Sequence, residues 1–357
     1  MSERPLDVAD VRSPADKAAS SAVESAGAHA KEEQHPLMRL LSTSVGRNLG
    51  LLVALVLLCI VGGVTAGDRF LDGNNVLTIL RLAAVLGVVS IGMTFVITGG
   101  GIDLSVGAIL ALSSVWCTTL ATQTMANDTH WIVMVGAALV VGAGCGLVNG
   151  LLIAYGGVVP FIATLAMLAS ARGLAEIISQ RRTQIVNVPE FSAFMGAKVL
   201  GMPFIVIIFV LVAAAGWVLL NRTTFGRRTL AVGGNPEAAR LAGINVQRHT
   251  VYLYVLAGVC CGIAALIMIA RTNTGSSTHG TMLELDAIAA VVIGGTLLSG
   301  GRGSIVGTVF GVLIFTTLTN VFTLTNRSIS EQSLLKGAII VAAVLLQQRL
   351  ASRNSST

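Results

Sequence analysis

Apolar runs close to twenty residues long recur through most of this chain, and that recurrence limits its fold more than any other feature. A bilayer's hydrocarbon core is about 30 Å thick, so a helix rising 1.5 Å per residue needs about 20 apolar residues to cross it. Ten segments approach that length: 49–66, 76–99, 104–122, 131–154, 158–178, 203–220, 251–270, 285–298, 305–324 and 333–348. Only 11% of the residues are charged, against about 25% in a soluble domain. The expected fold class is an all-α polytopic membrane protein with about ten transmembrane helices. Alternating ten-residue strands and aromatic girdles, the signs of an outer-membrane barrel, are missing. The 40 glycines suit helices that approach backbone to backbone. Cys59, Cys117, Cys145, Cys260 and Cys261 sit in apolar runs without CxxC spacing, as small hydrophobes do. The eighth run is the doubtful crossing. At about 14 residues it extends only about 21 Å, so it is expected either to be re-entrant or to borrow length from the glycines after it.

Basic residues set the orientation. Residues 221–249 carry Arg222, Arg227, Arg228, Arg240 and Arg248, the largest cluster, which predicts a cytoplasmic loop. Counting ten spans outward from it places both termini in the cytoplasm, beside Arg39 and Arg47 at one end and Arg349 and Arg353 at the other. Arg181, Arg182 and Lys198 fall in an outer loop and weigh against this orientation. The net charge of +6 is thus read as topology, not as a nucleic-acid surface. Residues 1–47, rich in Ala, Ser, Glu and Asp, are expected to be a disordered cytoplasmic tail, residues 48–349 a membrane domain, and residues 350–357 a short cytoplasmic tail.

Inside the basic loop, GGNPEAARLAGI (233–244) is written as a short soluble helix. Asn235 is placed to cap it, Pro236 suits the first helical position, and Glu237 complements the positive end of the dipole. Gly243 supplies the left-handed residue on which helices commonly stop.

The remaining polar positions carry two readings each. In GGGIDLSVG (99–107), Asp103 and Ser105 either cap the next helix or line a path at a broken helix. Arg172 and Glu176, at i and i+4, can neutralise each other on one helix face. Asn149 and Asn320 are lone amides, suited to interhelical hydrogen bonds or to contact with a solute hydroxyl. Glu284 and Asp286 suit the N-terminus of the eighth helix as solvated caps. His35, His130, His249 and His279 fall in the tail or loops, where solvated imidazole is expected. GGIDLSVG (100–107) and GGTLLSGG (294–301) share GGxxLSxG, which reflects either shared turn chemistry or an internal repeat. No phosphate-binding GxxxxGK[ST], metal-spaced histidine pair or nucleophile elbow is present, so catalysis and a cofactor are not expected on this chain.

Four stretches together resemble the inner-membrane permease subunits of bacterial ABC importers for ribose and related monosaccharides. They are MTFVITGGGIDLSVGAILAL, GLVNGLLIAYGGVVPFIATLAML with ARGLAEII, GRRTLAVGGNPEAARLAGINV, and ELDAIAAVVIGGTLLSGGRGSIVGTVFGVLI. The resemblance implies the ribose-permease fold, a permease dimer of two copies or paralogues, and a separate ATPase subunit that binds ATP and Mg. It also implies a periplasmic solute-binding protein. On that resemblance Asn235, Glu237, Ala238, Ala239, Arg240 and Gly243 form the segment that touches the ATPase. Asp103, Ser105, Asn149, Thr164, Arg172, Glu176 and Asn320 are candidates for the translocation path. The long N-terminal tail, Ala166 and Leu297 depart from the usual pattern. The expected function is import of a ribose-like pentose or hexose; the alternatives are an amino acid, nucleoside or signalling furanose on the same architecture, an ion-coupled carrier, or a membrane scaffold.

Overall fold

In the computed structural model, residues 44–328, 330–338 and 341 are described. The expected tails, 1–47 but for its last four residues and 350–357, lie outside them, as does His35. The described residues from Asn48 onward form one compact unit.

The described residues are mostly helical, with four two-residue strands among them. In order, its elements are α1 (Ser44–Ala66), α2 (Asp68–Leu71), α3 (Gly73–Thr98), α4 (Val106–Cys117), α5 (Leu120–Asp128), α6 (Ile132–Ala154), α7 (Pro160–Ser179), β1 (Gln184–Ile185), α8 (Pro189–Gly196), β2 (Lys198–Val199) and β3 (Met202–Pro203). There follow α9 (Phe204–Arg222), α10 (Thr224–Gly234), α11 (Pro236–Leu241), α12 (Val246–Thr272), β4 (Thr274–Gly275), α13 (Leu283–Ile293) and α14 (Ile305–Leu324). β1 pairs antiparallel with β4, and β2 with β3 in a hairpin.

Among the described residues, seven helices are long and apolar enough to cross a membrane: α1 from Asn48, α3, α6, α7, α9, α12 and α14. The chain is therefore a multi-pass membrane protein. The ten runs depart from straight helices in two places. The third run is not one straight helix, because α4 ends at Cys117 and α5 leaves it at 55°. Thr118 turns its hydroxyl back to the carbonyl of Ser114 at 2.8 Å, and the Thr119 side chain caps α5 by accepting from the Thr122 N–H. The eighth run forms only the 11-residue α13, about 16 Å long, and 294–298 lie in turns. The glycines after it do not lengthen the helix, and the loop before it packs on α4. A β-carbon on Gly275 would press on Thr118 at the end of α4, and one on Gly280 would press on Gly107 in its first turn. The loop therefore descends along α4, and α13 starts beside the start of α4. For the tenth run, residues 330–338 and 341 are helical and the remainder lies outside the described residues.

α3 is the central post. Every residue from Ala83 to Thr98 is buried, as expected for a helix that is apolar on all sides, and α9, α12, α13 and α14 pack around it. α4 is as deeply buried, with Trp116 its one exposed residue. Among the described residues, α6 and α12 share the most extensive helix–helix seam. A β-carbon on Gly142 would strike the carbonyl of Gly258, and one on Gly258 would strike the carbonyl of Gly142, so both positions must stay bare for the backbones to meet.

Candidate functional site

Two regions carry the polar chemistry, and a glycine joint connects them. The first is the helix expected in the basic loop. Its six residues, Pro236–Leu241, begin at Asn235, whose side chain accepts from the Ala238 N–H at 3.0 Å. The helix stops at Gly243, with φ +82°, where the Ile244 N–H returns to the carbonyl of Ala239 at 3.0 Å. Glu237 and Arg240 pair at 3.1 Å on the exposed face, Leu241 is fully open, and Ala239 alone is buried. The helix is thus held by its caps and presents an acidic, a basic and an apolar side chain outward.

The preceding α10 anchors this helix to the bundle. Phe225 lies 4.8 Å from the His249 ring and 6.1 Å from Phe95, and the Thr229 hydroxyl bonds His249 Nε2 at 2.9 Å. His249 is buried in the first turn of α12, which corrects the expectation of a solvated imidazole. At the end of α10, Gly233 meets the carbonyl of Thr98, to which the Gly301 N–H also donates at 2.9 Å. Three turns from distant parts of the chain therefore share one contact. Two of them are the halves of the GGxxLSxG echo. Gly100 and Gly295, each at φ +86°, close α3 and α13 with the same pair of backbone bonds. The match in structure is displaced by one residue from the match in sequence, so both copies are the same helix stop.

The second region lies just past Gly101. Asp103, Ser105 and Asn149 are fully buried and form one cluster at the start of α4. The Ser105 N–H donates to Asp103 Oδ1 at 2.8 Å and the Ser105 hydroxyl donates to the same oxygen, while Asn149 Nδ2 donates to Ser105 Oγ at 2.9 Å. Asp103 therefore closes a turn through Ser105, and neither side chain caps α4 in the way expected. Thr164 adjoins the cluster, bonding the carbonyls of Pro160 at 2.9 Å and Ile102 at 3.4 Å. The Tyr254 hydroxyl reaches the same Ile102 carbonyl at 3.4 Å. Between this turn and α11 lies a crevice of about 160 Å³ whose walls include Gly101, Pro160, Pro236 and Tyr254.

Arg172 and Glu176 do not pair. Arg172 Nη1 donates to the carbonyls of Ser277 and, at 2.8 Å, of His279, pinning the loop that descends along α4. Glu176 instead takes Arg181 at 3.0 Å, because that arginine curls back over the helix end. His279 is half-buried with Nδ1 3.3 Å from Ser114 Oγ, again not a solvated loop residue. Asp286 is no solvated cap either, since Lys336 bonds it at 2.9 Å while lying 4.9 Å from the Phe315 ring. Glu284 is partly buried near Gly107. Asn320 lies away from the cluster and exchanges two amide hydrogen bonds with Asn75, at 3.1 and 2.7 Å. Sequence reasoning passed over Asn75, Tyr254 and Lys336, each a polar group inside or beside an apolar run.

Comparison with known proteins gives this geometry a family. The family described as "Branched-chain amino acid transport system / permease component" matches residues 75–344. The chain belongs to this permease family. It is 43% identical over 307 residues to the ribose import permease protein RbsC of Bacillus subtilis, a match covering 85% of the chain and 92% of that relative. It is 38% identical to the fructose import permease protein FrcC of Rhizobium meliloti, with 83% and 84% covered. It is 35% identical to the D-allose transport system permease protein AlsC of Escherichia coli, with 84% and 91% covered. No solved structure gives a significant match. The permease match takes in the joint, the buried cluster and α11, and it stops short of residues 1–74.

Proposed function

We propose that this permease is the membrane-spanning subunit of an ATP-driven bacterial importer of a ribose-like monosaccharide. The observation that carries the reading is the connection of a self-capped, exposed helix to a buried polar cluster through one glycine joint. A motor outside the membrane needs such a handle, and the handle needs a rigid route to the solute path. In this reading α11 faces an ATPase subunit in the cytoplasm, which binds ATP and Mg, and residues Asn235, Glu237, Ala238, Ala239, Arg240 and Gly243 form the docking segment. Both termini are then cytoplasmic, the β1–β4 end of the bundle faces the periplasm, and a periplasmic binding protein delivers the sugar there. A second copy or a paralogue completes the permease pair in the inner membrane.

The sugar assignment is supported by relatives whose names specify ribose, fructose and allose import. The family description, which specifies branched-chain amino acids, favours a second reading on the same architecture. Proteoliposomes carrying the permease, its co-purifying ATPase and its binding protein, with ATP on the ATPase side, separate the two. Accumulation of ribose, fructose or allose and not of leucine is expected. Accumulation of leucine alone would refute the sugar reading. Uptake that needs no ATP and collapses with an uncoupler would refute the ATP-driven mechanism.

A further inference from the structure

Among the described residues, the buried polar atoms without a hydrogen-bond partner include Oδ2 of Asp103 and Oδ1 of Asn149. Both side chains are fully buried, and both are held by their other ends through Ser105. A buried acceptor left without a donor destabilises the fold, a charged one most, so a pair of them in one cluster needs a reason. They sit at the N-terminus of α4, whose dipole stabilises a carboxylate and opposes a cation. What the cluster lacks is hydrogen-bond donors that bring no net charge. Next to the cluster along the chain lies the crevice lined by Gly101, Pro160 and Tyr254. Ile102 alone separates it along the chain from Asp103, held by two long bonds of 3.4 Å from Thr164 and Tyr254. Bonds of that length are weak and easily exchanged.

We propose that Asp103 Oδ2 and Asn149 Oδ1 are the hydroxyl-accepting contacts for a neutral polyhydroxylated solute, which enters the crevice when Ile102 shifts. This rests on the monosaccharide import proposed above and assigns the atoms that recognise the sugar. Asp103 and Asn149 accept, the solute hydroxyls donate, and no covalent step is involved.

The test uses the complete transporter in proteoliposomes, supplied with ribose, fructose, allose and the monodeoxy analogues of whichever sugar is accumulated. Hydrogen bonds to charged groups are worth roughly ten- to a hundredfold in efficiency. The unmodified permease should therefore discriminate by about tenfold or more against one deoxy analogue. Asp103→Asn should lower uptake of the parent sugar to that level and leave that analogue unchanged. Asn149→Ala reads the same site against a different hydroxyl should Asp103→Asn fail to insert. Equal losses for the parent sugar and every analogue, or no loss at all, would overturn the inference while leaving sugar import standing. Accumulation of none of the three sugars by the unmodified complex would overturn the monosaccharide reading and this inference with it.

Discussion

Gly233 packs so closely on Thr98 that a β-carbon on the glycine would overlap the threonine's carbonyl oxygen. That contact ties α10 and α11 to the end of α3, and through Gly100 and Gly101 to the Asp103 turn. A methyl group at 233 must push the two segments apart. We predict that Gly233→Ala inserts normally but loses uptake by roughly tenfold, the effect of about 1.4 kcal/mol. Gly234→Ala is the control, because its β-carbon meets only Gly301 Cα at 3.8 Å and should leave uptake within about twofold. Initial uptake rates in matched proteoliposomes decide between them.

Glu237 and Arg240 form an exposed pair, and such pairs contribute little to stability. Charge reversal by Glu237→Lys should therefore leave the melting temperature of the purified permease nearly unchanged and weaken its co-purification with the ATPase. Gly243→Val attacks the same helix through its backbone, since valine resists φ +82° although nothing crowds the site. Both variants should reach the membrane in normal amounts, and normal uptake by both would remove the coupling role from α11.

The α6–α12 seam predicts a loss of stability without a change in chemistry. Gly142→Ala places a methyl group against the Gly258 carbonyl, an overpacking expected to cost about 1–3 kcal/mol. Gly136, on the same helix, has open space around it, and Gly136→Ala should be neutral or slightly stabilising. Thermal unfolding in detergent, followed by exposure of the buried Cys260 and Cys261 to a thiol dye, separates the pair.

Asp286 and Lys336 pair at 2.9 Å with only 23% and 20% of their side chains exposed. Removing one partner strands the other charge in an apolar setting, so Lys336→Met alone should destabilise by about 1–3 kcal/mol. The double variant Asp286→Asn with Lys336→Met should recover most of that loss. Additive losses in the same unfolding assay would show that the two residues do not interact.

Much of this architecture is legible in the sequence, because a bilayer turns apolar length into helix length. The ninth run, 305–324, has the same limits as α14, and the caps of α11 follow from Asn235, Pro236 and Gly243. What length cannot reveal is a packed element that is part loop and part helix. The 276–282 stretch is mostly polar and folded in turns, and its packing on α4, with Arg172 satisfying two of its carbonyls, buries part of it. Pairings fail for a related reason. Arg172 and Glu176 are correctly spaced on one helix, yet Arg172 turns to a loop more than a hundred residues on and Glu176 to the arginine just past the helix end. Asp103 was visible as an odd carboxyl between apolar runs. Its connection to Asn149 runs through Ser105, 44 residues from that asparagine, and arises only when α6 comes to lie beside α4.

The most direct measurement of the central claim is the ATPase rate of the reconstituted complex as the binding protein is loaded with sugar. The unmodified permease should raise the rate several-fold over the empty binding protein when ribose, fructose or allose is bound, and Gly233→Ala should abolish that rise while retaining the ATPase. A rate indifferent to every sugar, or a sugar response that survives in Gly233→Ala, would contradict the account.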